Sequence, residues 1–90
     1  MLIDSHAHIQ GKEYVGEAEA VIARAREAGV EMIVAVGGAG DMSSNTAALA
    51  LADAFPGVFA TVGMHPHDAK DVGVEELAKL KELTGHEKVV

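Results

Sequence analysis

Ninety residues, with 49% hydrophobic side chains, can form one small domain at most, burying roughly 60 to 65% of the surface the unfolded chain exposes. Fourteen acids against seven bases leave a net charge of −7, which excludes a broad basic face that holds nucleic acid by counterion release, so a phosphate substrate would have to be recognised locally. The chain has no cysteine, hence no disulfide framework and no thiolate metal site, as expected in a cytoplasmic protein.

Met1-Leu2-Ile3 opens a first strand. Val15, Ala18, Ile22 and Ala25 then recur at intervals of three and four, the spacing of one helix face, and Gly29 ends that helix. Glu31 to Val36 is apolar on both faces after its first residue and rich in β-branched side chains, which predicts a strand buried between two layers. Gly37-Gly38-Ala39-Gly40 breaks it. Ser43 or Ser44 can cap a second helix, whose Ala48, Leu51, Ala52 and Phe55 form its buried stripe before Pro56-Gly57.

Val58 to Val62 reads as the third strand, followed by a loop around Gly63 to Gly73. A third helix is marked by Val74, Leu77, Leu80 and Leu83, and Lys88-Val89-Val90 begins a fourth strand. Strand centres near Ile3, Ile33, Ala60 and Val89 fall 30, 27 and 29 residues apart, the length of a βαβ unit. The expected class is therefore α/β with parallel βα repeats, built as either an open doubly wound sheet or a piece of a (β/α)8 barrel. No apolar run approaches the roughly 20 residues needed to cross a bilayer, and no membrane association is expected.

Four of the five histidines fall just after strands, where parallel α/β folds collect ligands and catalytic groups. In extended chain, residues two apart point to the same side, so His6-Ala7-His8 directs two imidazoles at one point. Such a pair either begins a site for zinc or a related divalent ion or is two loop histidines sharing nothing. His65-Pro66-His67 repeats the arrangement after strand three; Pro66 holds His65 extended and either aims the two rings or simply ends the strand. His86 precedes strand four, at the opposite end of the sheet, and reads as a solvated loop residue.

Gly38-Ala39-Gly40 supplies a G-x-G, but Ser43 stands where a dinucleotide loop has its third glycine, and no Gly-Lys-Ser/Thr follows. A tight strand-to-helix turn is the simpler reading, with a phosphate-cradling turn as the rival. Asp4, Asp41 and Asp68 lie near the same end of the sheet and suit local roles: Asp4 at the strand edge, Asp41 at the helix start and Asp68 in a turn. Ser5 adjoins His6, yet no acid orients the pair as in a nucleophilic triad.

Leu2-Ile3-Asp4-Ser5-His6-Ala7-His8, followed by Val62-Gly63-Met64-His65-Pro66-His67, resembles the amino-terminal third of the TatD-related metal-dependent hydrolases, and the likeness runs the whole chain. The resemblance implies the amidohydrolase type of (β/α)8 TIM barrel, with residues 1–90 supplying three βα units and the start of a fourth strand. It implies a hydrolase acting on phosphodiesters, often a deoxyribonuclease, with DNA or another phosphodiester as substrate. It makes His6 and His8 metal ligands and lets His65 help hold the substrate phosphate, with His67 the weaker candidate beside it. One or two divalent ions (Mg, Mn or Zn) would activate water and polarise the phosphoryl oxygen in the complete enzyme. In the family a bridging glutamate comes from the strand-four motif and further ligands from later strands, all beyond Val90. The expectation is therefore an amino-terminal fragment, inert alone and inclined to self-associate. The alternative is a non-enzymatic α/β module whose Gly37 to Gly40 turn binds a nucleotide phosphate.

Overall fold

The computed structural model describes residues 1–90. Three parallel strands, β1 (Leu2–Ala7), β2 (Val30–Val36) and β3 (Val58–Thr61), lie side by side in chain order. Helix α1 (Ala18–Glu27) joins β1 to β2, helix α2 (Ser43–Ala54) joins β2 to β3, and helix α3 (Val74–Leu83) follows β3. Strands in sequential order, with the crossover helices on one side, are the wall of a barrel. A doubly wound sheet reverses its strand order and covers both faces. The fourth strand begins at the expected place: Ala60 N donates to Lys88 O at 2.9 Å, and Val90 N donates to Ala60 O at 2.9 Å.

Alternation along the strands decides where the core sits. Ile33, Ala35, Val58 and Ala60 point to the helices and join Ile22 of α1 and Ala48 and Ala52 of α2 in one cluster. Alanines here let the helices approach the sheet closely. Val34, Val36, Phe59 and Thr61 alternate onto the other face and are only half-buried. The expected two-layer burial of β2 is thus realised on one face, because all the helical stripes available to these strands lie on the same side. β1 is an edge strand, with Leu2 59% and Ile3 53% exposed.

Three helical features differ from the sequence reading for local reasons. Val15 lies outside α1 and is 80% exposed: a 3-10 turn at Lys12–Tyr14 and Gly16, at φ +78°, intervene before Ala18. On α3 only Leu83 is buried, while Val74 and Leu77 face solvent since no second layer reaches them. Residues 66–71 form a 3-10 helix that hydrophobic periodicity does not signal.

The start of α2 is held by Asp41, not by a serine cap. Its Oδ1 accepts from the Ser43 backbone N at 2.8 Å and from the Ser43 hydroxyl. Ser44 instead accepts from Gly38 N at 2.6 Å and donates to Asp41 O. The Ser43 hydroxyl, and next the Ser43 backbone N–H, hold the Asp41 carboxyl below its ordinary pKa. A depressed folded pKa means that the ionised carboxylate stabilises the fold above the unfolded pKa and ceases to do so as pH falls through the folded one. Asp41→Ala is therefore expected to lower the urea midpoint at neutral pH, with the gap from wild type closing in acid. A gap that persists unchanged at low pH would contradict this account of the cap.

Candidate metal centre

β1 delivers its histidines through an irregularity. Its register with β2 slips between Asp4 and Ala7, where three steps on β1 match two on β2. Such bulges re-aim side chains at strand ends. Asp4 Oδ1 accepts from His6 N at 3.1 Å and stabilises the bulged backbone. Ala7 turns toward the helix layer, which leaves His6 and His8 on the open side.

The two rings meet through their Nε2 atoms, 3.2 Å apart, with centroids at 5.0 Å and planes at 73°. An ion with nitrogen ligands at 2.0–2.1 Å requires a separation of about 2.9 Å at a right angle and about 3.3 Å at the tetrahedral angle, so the pair has the span for two positions of one coordination shell. His8 is already oriented for this. Its Nδ1 donates to Val36 O at 3.0 Å, which assigns the neutral ring the Nδ1–H tautomer and points the Nε2 lone pair at His6. Without an ion, His6 Nε2–H donates to that lone pair; with His6 in the other tautomer, two lone pairs face one point.

Val36 O serves a second donor. Gln10 Nε2 reaches it at 2.7 Å, so His8 and Gln10 grip the same carbonyl at the end of β2. The other amide atom, Gln10 Oε1, is buried without a hydrogen-bond partner. Gln10 is a supporting residue that the histidine motif alone does not reveal, although it continues the i, i+2 spacing from His8.

His65 stands across the same opening. It lines a cleft of about 520 Å³ with His6, His8, Val36, Gly37, Gly38, Ala39 and the Thr61–Met64 segment. His65 is extended, with φ −61° and ψ 142°, as Pro66 requires. Its Nδ1 accepts from His67 N at 3.1 Å, which assigns the neutral ring the Nε2–H tautomer. His8 and His65 are thus held in opposite tautomers: one offers a lone pair, the other a proton. His67 packs edge-on against His65, with centroids 4.7 Å apart, but does not line the cleft.

The remaining candidates take local roles. Asp68 accepts from Gly40 N at 3.3 Å, and no group of three His, Asp or Glu side chains is assembled around a common point. His86 is half-buried: its Nδ1 accepts from Lys88 N and its Nε2 lies 3.5 Å from Asp53 Oδ1 near the end of α2. The sequence reading of a free loop residue missed this contact because Asp53 is distant in sequence.

The glycine turn spends several of its N–H groups on the fold: Gly37 N donates to Thr61 O, Gly38 N to the Ser44 hydroxyl, Gly40 N to the Asp68 carboxylate and Ser43 N to Asp41, which makes it foremost a tight strand-to-helix turn. Close approach explains the first two glycines: a Cβ on Gly37 would lie 2.6 Å from Asn45 Oδ1, and one on Gly38 2.4 Å from Gly63 O.

Comparison with known proteins agrees with the geometry. Residues 3–90 match the family described as TatD related DNase. The chain is 43% identical over its whole length to 34% of the uncharacterized metal-dependent hydrolase YabD of Bacillus subtilis (strain 168). It is 33% identical, over 99% of its length, to 33% of a 3'-5' ssDNA/RNA exonuclease TatD of Cronobacter sakazakii. A protein of the same name from Edwardsiella piscicida is 32% identical over 91% of the chain and 31% of its own length. The chain therefore spans about a third of the length of the curated relatives it matches. With paired histidines after the first and third of its parallel strands and a match over nearly every residue, the chain belongs to the TatD-related DNase family.

Proposed function

We propose that residues 1–90 form the amino-terminal part of a single metal-dependent hydrolase barrel whose substrate is DNA or another nucleic-acid phosphodiester. The convergence of His6, His8 and His65 on one cleft, with His8 and His65 in opposite tautomers, carries this reading. His6 and His8 would hold a divalent ion. When bound, it would supply Lewis-acid polarisation of a phosphoryl oxygen and a more acidic water. His65 Nε2–H is free to donate to a non-bridging phosphate oxygen, where negative charge concentrates during displacement. His67 takes the outer side of the same patch, where a longer strand would run past His65. The relatives named as ssDNA/RNA exonucleases support a polynucleotide substrate.

The alternative, a phosphate-binding module without catalysis, draws less support, because Gly38 N and Gly40 N of the glycine turn are committed within the fold. No helix is long and apolar enough to cross a membrane.

His6→Ala and His8→Ala, made in the longest natural chain carrying this sequence, are expected to weaken the divalent ion by more than about a hundredfold, since loss of an outer-sphere partner alone costs tenfold to a hundredfold. Equilibrium dialysis with manganese or zinc reads this directly, and binding should weaken on acidification because neutral imidazoles are required. Unchanged metal content in both variants would remove the histidines from the coordination shell.

His65→Ala is expected to cut phosphodiester kcat/KM by about 10² to 10³, the range for losing one donor to a developing oxyanion, with metal stoichiometry intact. Loss of the ion on this substitution would make His65 a ligand instead. The 90-residue segment by itself is expected to be inactive and to self-associate through its exposed β1 edge and apolar α3 face. Two protein ligands fall short of the usual three of a catalytic zinc site. Metal-dependent hydrolysis of single-stranded DNA by a monomer of this segment, measured by sedimentation alongside turnover, would refute the incomplete-site reading.

A further inference from the structure

Asn45 is a polar side chain with no exposed surface, placed on the core face of α2. Burying an amide costs free energy unless both its groups are paired; this one is paired in both directions to Gly63, with a weaker second donation from Nδ2 to Met42 Sδ at 3.5 Å. Asn45 Nδ2 donates to Gly63 O at 2.9 Å, and Gly63 N donates to Asn45 Oδ1 at 3.0 Å. Gly63 lies past the end of β3, so no strand neighbour supplies these bonds; the amide replaces the ladder partner that the backbone there lacks.

Two residues further on, His65 N donates to Gly38 O at 2.8 Å. The backbone leading to the His65 ring is thus pinned at Gly63 by Asn45 and at His65 by the glycine turn. Gly38 can sit so close only because it lacks a Cβ. From its fixed backbone His65 accepts from His67 N, and that bond sets the ring tautomer.

We infer that Asn45 is a positioning residue for His65: its two bonds to Gly63 hold the post-β3 segment so that His65 presents Nε2–H to the cleft. The turnover part of this inference rests on the phosphate-binding role proposed for His65; the conformational part does not. A displacement of about 1 Å at a positioned group can cost a hundredfold in rate, so the effect should reach catalysis without any contact between Asn45 and substrate.

Asn45→Asp in the longest natural chain is the direct test, since it keeps the shape and the acceptor for Gly63 N but sets an oxygen against Gly63 O. Asn45→Ser, smaller and uncharged, serves if the aspartate variant fails to fold. In a folded variant, amide exchange at Gly63 and His65 should accelerate at least tenfold, and the ¹⁵N spectrum of His65 should change from the Nε2–H tautomer to a mixture. Phosphodiester kcat/KM should fall tenfold to a hundredfold with metal content unchanged. In a His65→Ala background the same Asn45 substitution should change kcat/KM less than twofold.

Unaltered exchange and an unaltered His65 tautomer would overturn the inference, as would an Asn45 effect on turnover that persists in full without the His65 ring. If His65→Ala alone leaves turnover intact, the phosphate-binding reading fails. The exchange and tautomer measurements then still decide whether Asn45 positions His65.

Discussion

The site depends on how closely two backbone segments approach each other at the carboxyl ends of β2 and β3. Gly37 and Gly38 leave β2 without side chains; Asn45 and Thr61 O press on the first, and Gly63 and Met64 on the second, at distances that no Cβ would allow. Asn45 fills the remaining gap and satisfies the backbone groups that the end of the ladder leaves open. This packing brings His65 over the opening where β1 places His6 and His8. The rings are therefore joined by backbone geometry, not by contacts among themselves across the cleft.

A shared device fixes the rings of His8 and His65: one nitrogen is committed to the backbone so that the other is chemically defined. Val36 O takes the Nδ1 proton of His8, and His67 N donates to Nδ1 of His65. A free imidazole in water would interchange tautomers and orientations. Committing one nitrogen removes that freedom before any ligand arrives, as a hydrogen bond to the far nitrogen of a metal-binding histidine does. Gln10 adds rigidity on the His8 side by bonding to the same carbonyl.

Much of this was legible in the sequence because it follows from short-range rules. The 27 to 30 residue spacing of strand centres predicted the βα repeats, and the i, i+2 spacing of His6 and His8 predicted their convergence. Pro66 predicted the extended backbone of His65. What escaped depends on partners far apart in the chain: Val36 for His8, Gly63 for Asn45, Asp53 for His86. Asn45 did leave a trace. Extending the buried stripe of Ala48 and Ala52 back by three residues lands on it, and a polar amide in a core position implies a specific partner. The loss of Val15 from α1 has the reverse cause, since a regular apolar spacing continued past Gly16 into a turn.

Charge bears on the proposed phosphodiester substrate of an acidic chain. The ionisable side chains lining the cleft are its three histidines, with no lysine or arginine among them. Asp41 and Asp68 lie outside that cleft and point their carboxylates at Ser43 and Gly40. In the proposed reading, attraction for the substrate then comes from the ion held by His6 and His8 and from the single oriented N–H of His65. An anion would meet positive charge chiefly at the reacting phosphate, and the rest of a polynucleotide would gain little from a chain carrying −7. Under that reading, discrimination falls at the scissile group, and the precision of His65, and of the backbone that carries it, would matter more than the sum of surface charge.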